Sequence, residues 1–208
     1  MSFIDGLINE CDIALKTLSF KKSGTDRPYP SDTKTLNLTK NEKNLSAELM
    51  RVNLAGEVAA QALYRGQAMV CKDKDVRAHL IQAGDEETDH LIWCKKRLED
   101  LDGKPSILNP IWYAGSFAIG AFFGSMGEKT SLGFVEETEK QVVKHLERHL
   151  DRISPNDSET INILKTMRAD EDEHAQEAAE NGSESLSEPT KKFMSLTAKL
   201  MTSSSAYI

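Results

Sequence analysis

A chain of 208 residues, 39% apolar and 28% charged, can build one domain with a real core, and is neither a disordered chain nor a polytopic membrane protein. Its formal charge of −7, from 33 acidic and 26 basic residues, excludes a nucleic-acid binder, because no basic face is available to neutralise phosphates. Cys11, Cys71 and Cys94 are widely spaced and form no C-x-x-C, so neither a disulfide framework nor a zinc site is indicated and a reducing compartment is expected.

Taken in chain order, residues 1–20 read as a short amphipathic helix with Phe3, Ile4, Leu7, Ile8, Cys11 and Ala14 on one face. Asp5, Glu10 and Asp12 interrupt any signal-peptide pattern, and a cytoplasmic address is expected. Residues 21–40 are polar, carry Gly24, Pro28 and Pro30, and read as a linker or surface loop. Together, residues 1–40 form an N-terminal extension whose role the sequence does not indicate. Helical spacing of Leu45, Leu49, Val52 and Ala59 predicts a helix over about Asn41–Met69, followed by a second over about Lys74–Leu101. From Pro105 to Gly127 there are 23 uncharged residues. Further helices are expected over about Leu132–Asp151 and Ser158–Ala179, the latter N-capped by Ser158, with a last short one over Thr190–Met201. No segment alternates with period two for long, so the fold is all-α.

Two E-x-x-H motifs stand out, Glu87-Thr-Asp-His90 and Glu171-Asp-Glu-His174. At i and i+3 on a helix both side chains project from one face and can chelate one ion. A single such motif is weak in an acid-rich chain. Here each has a partner upstream: Glu57 lies 30 residues before Glu87, and Glu139 lies 32 before Glu171. This is an internal repeat of helix pairs supplying Glu, then Glu-x-x-His, the ligand set of ferritin-like four-helix bundles that hold two iron or manganese ions. Four carboxylates and two imidazoles offset the four positive charges of two ferrous ions, and an oxygen- and nitrogen-rich open shell suits Fe(II) or Mn(II) more than structural zinc. Glu57 sits among small and apolar residues, where a lone carboxylate is costly unless paired, protonated or metal-bound. Near Glu139, Glu136 is the fallback ligand that helical geometry leaves open. Glu86, Asp89, Asp170 and Glu173 are the nearby groups that could accept the second N–H of a ligating imidazole.

At RVNLAGE (51–57), Tyr64 with Gly66–Gln67, DEETDH (85–90), PIW (110–112), GFVEETEKQVVKHL (133–146) and RADEDEH (168–174), the chain resembles the demethoxyubiquinone hydroxylase family of non-haem di-iron monooxygenases. The resemblance spans roughly residues 46–208 and implies a ferritin-like catalytic domain over 41–208. It implies iron ligands at Glu57, Glu87, His90, Glu139, Glu171 and His174, aligning without gaps at Glu139 rather than Glu136. His145 and Tyr64 match the histidine and tyrosine that the family keeps near the iron pair and the quinol. Leu146 departs from members that carry a tyrosine there, which leaves any relay through that tyrosine without a counterpart.

The implied reaction is hydroxylation of a polyprenylated demethoxy-benzoquinol by O2 at two Fe(II) ions, late in ubiquinone biosynthesis. The resemblance names NADH, acting through the quinone, as one electron source; no G-x-G-x-x-G follows a strand, so the chain itself shows no dinucleotide site. Peripheral attachment to the cytoplasmic face of the cell membrane is implied. The apolar run is long enough to span a bilayer, but one crossing would strand the two helix pairs on opposite sides. Insertion into one leaflet is therefore expected, through Ile107, Trp112, Phe117, Ile119, Phe122 and Phe123, with Phe193, Leu196, Leu200 and Tyr207 as a second contact. Partner proteins left open are other enzymes of the pathway and a second copy of this chain. The alternative from another class is a ferritin- or rubrerythrin-like bundle that handles iron or scavenges peroxide, which needs no apolar run beside its site.

Overall fold

The computed structural model describes residues 3–31 and 37–207, without the side chains of Phe3, Ile4 and Leu7, so three of the apolar positions expected on the first helix lie outside the described residues. Among the described residues there are seven helices: α1 (Phe3–Leu18), α2 (Lys40–Val70), α3 (Lys74–Asp100), α4 (Asn109–Ser125), α5 (Glu128–Leu150), α6 (Ser158–Glu180) and α7 (Glu188–Ser205). The long helices α2, α3, α5 and α6 form a ferritin-like bundle. Its two hairpins, α2–α3 and α5–α6, also meet across the α3–α6 contact. Short connections after Val70 and Leu150 force each pair to run antiparallel.

The helix starts follow local hydrogen bonding. Thr39 and Glu42 form a reciprocal capping box on α2, and Asp73 caps α3 through the amides of Asp75 and Val76. The N-cap of α6 is Asp157 rather than the expected Ser158, because the Asp157 side chain accepts from the Thr160 amide. Asp157 also accepts from Ser46 Oγ at 2.6 Å and from Arg97 at 2.7 Å. Arg97 reaches Glu159 at 2.8 Å and Thr160 Oγ1 at 2.9 Å, so this buried guanidinium ties α3 to the start of α6 with its donors paired.

The main core is built by Leu49, Met50, Leu54 and Val58 of α2, Leu91, Cys94 and Leu98 of α3, Leu146 of α5, and Ile163, Leu164 and Met167 of α6. Leu146 is thus a core side chain, and its apolar character fits that place. The glycines of the apolar run are packing residues. A Cβ at Gly120 would sit 2.2 Å from Leu63 O, and one at Gly66 would sit 2.2 Å from Phe117 O, so α4 and α2 approach to backbone contact only because both are glycine.

Helix α4 consequently has an inward and an outward face, and this revises the expected membrane contacts. Phe123 is buried and stacks on Phe134 at 4.2 Å, and Phe117 packs against the main core. Ile107, Ile111, Phe122 and Met126 stay exposed, a stripe at helical spacing. On α7, Phe193, Leu196 and Leu200 are exposed as well, with Tyr207 just beyond its end. No helix of the described residues is long and apolar enough to cross a membrane.

The N-terminal residues lie against the bundle. Arg65 forms a two-pronged ion pair with Glu10, Thr17 Oγ1 donates to Gln61 Oε1 at 3.0 Å, and Ala14, Leu18 and Phe20 pack on the core. The inward face of α1 therefore runs through Glu10, Ala14 and Thr17, while Ile8 and Cys11, expected to face inward, are exposed.

Candidate metal centre

Glu57 projects from α2 between the buried Leu54 and Val58, so the stripe that builds the core also carries its carboxylate inside. Glu87 and His90 sit one turn apart on α3, Glu139 is on α5, and Glu171 and His174 are one turn apart on α6. All six are buried, none more than 4% exposed. One ligand atom from each of Glu57, Glu87, His90 and Glu171 lies within 4.8 Å of the others.

The geometry is nearly symmetric. His90 Nδ1 lies 3.1 Å from Glu87 Oε2, 3.2 Å from Glu171 Oε1 and 3.7 Å from Glu57 Oε2. His174 Nδ1 lies 3.3 Å from Glu87 Oε1 and 3.4 Å from Glu171 Oε2. Glu87 and Glu171 therefore each turn one oxygen to each imidazole. Glu57 stands on the His90 side, and the charge of His174 acts on Glu139. Tyr64 donates its hydroxyl to Glu139 Oε1 at 2.7 Å. Glu136, by contrast, pairs outward with Lys140 and Ser183.

The outward imidazole nitrogens are held crosswise. His90 Nε2, on α3, meets Asp170 Oδ2 of α6 at 2.8 Å, and His174 Nε2, on α6, meets Glu86 Oε2 of α3 at 2.9 Å. Each carboxylate immediately precedes the glutamate of the opposite motif. The other two nearby acids do different things: Asp89 accepts from Thr25, and Glu173 is exposed.

Electrostatics expose the strain of the arrangement. Burial pushes the Glu57 carboxyl well above its usual range; contact with His90 opposes this, and the charges of Glu87 and Glu171 add to it. Burial likewise raises Glu139, reinforced by Glu171 and Glu87. Burial would raise Glu87 too, but the two imidazoles outweigh it and hold that carboxyl well below the ordinary value. His174 is pushed up to about 12: burial disfavours its charge, and contacts with Glu171 and Glu87 overcome this. His90 is raised in the same way, against its burial, by Glu87 first and then by Asp170, Glu171 and Glu57.

While burial pushes Glu57 and Glu139 toward their neutral forms, protons on imidazole offset the negative charge of Glu87. They do so incompletely. Glu87 Oε1, Glu171 Oε2 and His174 Nδ1 are buried without a hydrogen-bond partner, since their 3.3–3.4 Å contacts lack the alignment. Unsatisfied lone pairs of hard oxygens and imidazole nitrogen, gathered from four helices, fit a pair of divalent cations.

His145 lies outside this hydrogen-bonded cluster. Its ring packs on that of His149 at 4.0 Å, and burial, with Arg148 and Arg152, lowers its pKa to about 4. Sequence reasoning missed the contribution of the polar segment after α1. Arg27 makes two hydrogen bonds to Asp170, at 2.8 and 3.1 Å, and so stands directly behind His90. Only its charge and the adjacent Pro28 marked it in sequence, and neither names a partner 143 residues away.

Fold and site together define a ferritin-like bundle with a buried cluster of carboxylates and imidazoles that could hold metal. The chain matches the family described as Ubiquinone biosynthesis protein COQ7 over residues 44–205. It is 49% identical over 209 residues to 3-demethoxyubiquinol 3-hydroxylase of Legionella pneumophila (strain Lens), covering 100% of this chain and 98% of the relative. Proteins of the same name from Francisella philomiragia and Xanthomonas euvesicatoria are each 46% identical, over 97% and 95% of this chain and 96% and 91% of theirs. The chain belongs to the COQ7 family of ubiquinone biosynthesis proteins. The likeness to the Legionella protein includes the N-terminal residues that the resemblance read from sequence had left out.

Proposed function

We propose that this protein is a di-iron monooxygenase that hydroxylates a polyprenylated 3-demethoxyubiquinol. The observation that carries the reading is the shared use of Glu87 and Glu171, each giving one oxygen to the His90 side and one to the His174 side, at the centre of a buried site with orphaned ligand atoms. The relatives' printed name supplies the reaction and the quinol class.

In this reading residues 41–208 are the catalytic domain. Glu57 and His90 would hold one ion and Glu139 and His174 the other, with Glu87 and Glu171 available to both. Two ferrous ions bound there would supply the electrons and open coordination sites that oxygen activation requires. The protein's own part is to orient the ligands. Asp170 and Glu86 hold the outward imidazole nitrogens, fixing the ring planes and turning each Nδ1 lone pair inward. Tyr64 fixes one oxygen of Glu139 and leaves the other free. The core residues around the site exclude water. His145 keeps the role near the quinol that the resemblance implies.

An apolar groove on the surface supports a lipophilic substrate. A groove of about 510 Å³ between α4 and α7 is lined by Ala118, Ile119, Phe122, Phe123, Pro189, Thr190 and Phe193. Phe123 stacks on Phe134, and Phe134 with Leu63 lines a crevice between α2 and α5 that reaches Tyr64 and Glu139. The exposed apolar stripes of α4 and α7 flank the groove, the form of a surface that lies in one leaflet while a polyprenyl tail stays in the bilayer. Peripheral attachment at the cytoplasmic face of the cell membrane completes the proposal, with NADH as the reductant to test first.

The test is metal content and turnover together. After anaerobic loading with ferrous iron, elemental analysis should give about two irons per wild-type chain and little in E57A/E139A. H174A should abolish hydroxylation of a demethoxyquinol in liposomes while the helical circular dichroism persists. Wild-type protein without stoichiometric iron, or H174A with unaltered turnover, overturns the reading.

A further inference from the structure

The segment of residues 21–31, after α1, lies against α3 and α6 beside the metal centre. Lys22 Nζ reaches Asp85 at 2.9 Å, Thr25 donates its amide to Asp89 at 2.9 Å, and Tyr29 OH donates to Glu159 at 3.0 Å. Its approach is close: a Cβ at Gly24 would lie 2.0 Å from Asp89 Oδ1 and 3.2 Å from Ile92. The segment is thus strapped to α3 and α6 at several points, with Arg27 in the middle.

Arg27 holds both neighbours of His90. Its guanidinium clasps the two oxygens of Asp170, whose Oδ2 also meets His90 Nε2, and it lies 5.1 Å from the ring centroid of Trp93. The Trp93 ring in turn packs against that of His90 at 5.4 Å. A planar two-pronged clasp fixes a carboxylate in position and angle, which a single contact does not. Among the described residues the other half of the centre is held differently: Glu86, which holds His174, takes its hydrogen bond from the neutral amide of Gln82 at 3.0 Å, and the Arg27 charge reaches it without a hydrogen bond.

We propose that Arg27 is a positioning residue for His90, acting through Asp170, so that this one side chain of the strap belongs to the metal centre and makes its two positions unequal. The proposal rests on the two-metal reading above. Asp170 orients His90 so that its Nδ1 faces the ions, and Arg27 keeps Asp170 from turning to solvent. Loss of such an outer partner typically weakens metal binding about 10–100-fold. Here the loss falls on the ion held by His90 and Glu57, while the ion held by His174 and Glu139 keeps its affinity.

The experiment is an oxygen-free titration with cobalt(II), followed by its visible absorption and by metal analysis, on wild type, R27A, D170N, R27A/D170N and Y29F. Y29F breaks the strap's contact with Glu159, away from the centre, and controls for general loosening; helical circular dichroism verifies the fold of each. The expected result is two cobalt ions in wild type, one of them bound at least about tenfold more weakly in R27A, and little change in Y29F. The double variant should be no worse than D170N alone, as two residues acting through one path require. Wild-type binding of two ions with R27A indistinguishable from it overturns this proposal and leaves the two-metal reading standing. So does equal weakening of both ions in R27A and Y29F, or a double variant worse than D170N by the full R27A effect. Wild type that binds no cobalt removes the two-metal reading, and this proposal with it.

Discussion

Replacing Glu57 by glutamine should separate metal binding from folding. The ligand atoms of Glu57, Glu87, His90 and Glu171 lie within 4.8 Å of one another. At an effective dielectric of about 20, two full negative charges at that spacing repel by about 3 kcal/mol. Burial and the Glu87 and Glu171 charges accordingly drive the Glu57 carboxyl toward its neutral form, opposed by His90 at 3.7 Å. A glutamine is close in shape to a protonated glutamate, so metal-free E57Q should fold within about 1 kcal/mol of wild type, roughly 2–4 °C in Tm for a domain of this size. Metal binding reverses the demand, because an ion needs the anion. Wild type at about 100 times its Kd for ferrous iron gains about 2.7 kcal/mol. That is roughly 5–11 °C, and E57Q should lose most of it. Paired thermal melts with and without ferrous iron, without oxygen, measure both quantities. A metal-free E57Q melting more than about 5 °C below wild type would make Glu57 a structural residue. A full iron-induced shift in E57Q would remove it from the ligand set.

Two further outcomes follow from other parts of the molecule. Burial holds the His149 imidazole at about 2, with His145, Arg152 and Arg148 adding to the effect, against about 6.5 in an unfolded chain. The folded value is the lower one, so this stability is complete above about pH 6.5 and is lost as pH falls toward the folded value. At pH 5.5 the loss from His149 amounts to about 1.4 kcal/mol. Denaturant melts from pH 7.5 to 5 should show it in wild type and not in H149Q; parallel curves would mean that His149 titrates normally. On the surface, F122D/F193D places two charges on the groove between α4 and α7, where both phenylalanines are at least half exposed. Cosedimentation with anionic liposomes should fall while Tm stays within about 2 °C of wild type. Unchanged cosedimentation would assign that surface to something other than a membrane.

The sequence by itself determined the helices and the repeat, because each follows from local periodicity, while the choice of Glu139 over Glu136 as a candidate ligand came from the family resemblance. Leu45, Leu49 and Val52 mark one face of α2 at helical spacing, and Glu57, among small and apolar neighbours, falls on another with Met50, Leu54 and Val58. Glu87–His90 and Glu171–His174 share a face by the helical repeat alone, and the near-equal spacings of 30 and 32 residues back to Glu57 and Glu139 state that two hairpins are alike. Tertiary structure decided what depends on residues far apart in the chain. It chose Asp170 and Glu86, each from the opposite motif, as the partners of His90 and His174, a crossing that exists only because α3 and α6 face each other. It moved the α6 cap to Asp157, whose carboxylate is drawn in by Arg97 and Ser46 of other helices. It split the apolar run into an inner face of Gly120 and Phe123 and an outer one of Ile111 and Phe122, since α4 packs flush against α2. Arg27 gained its place beside Asp170 in the same way. Spacing along a helix fixes which side chains share a face, whereas a partner across 143 residues of chain is fixed only when the packed helices leave one half-buried carboxylate within reach of one guanidinium.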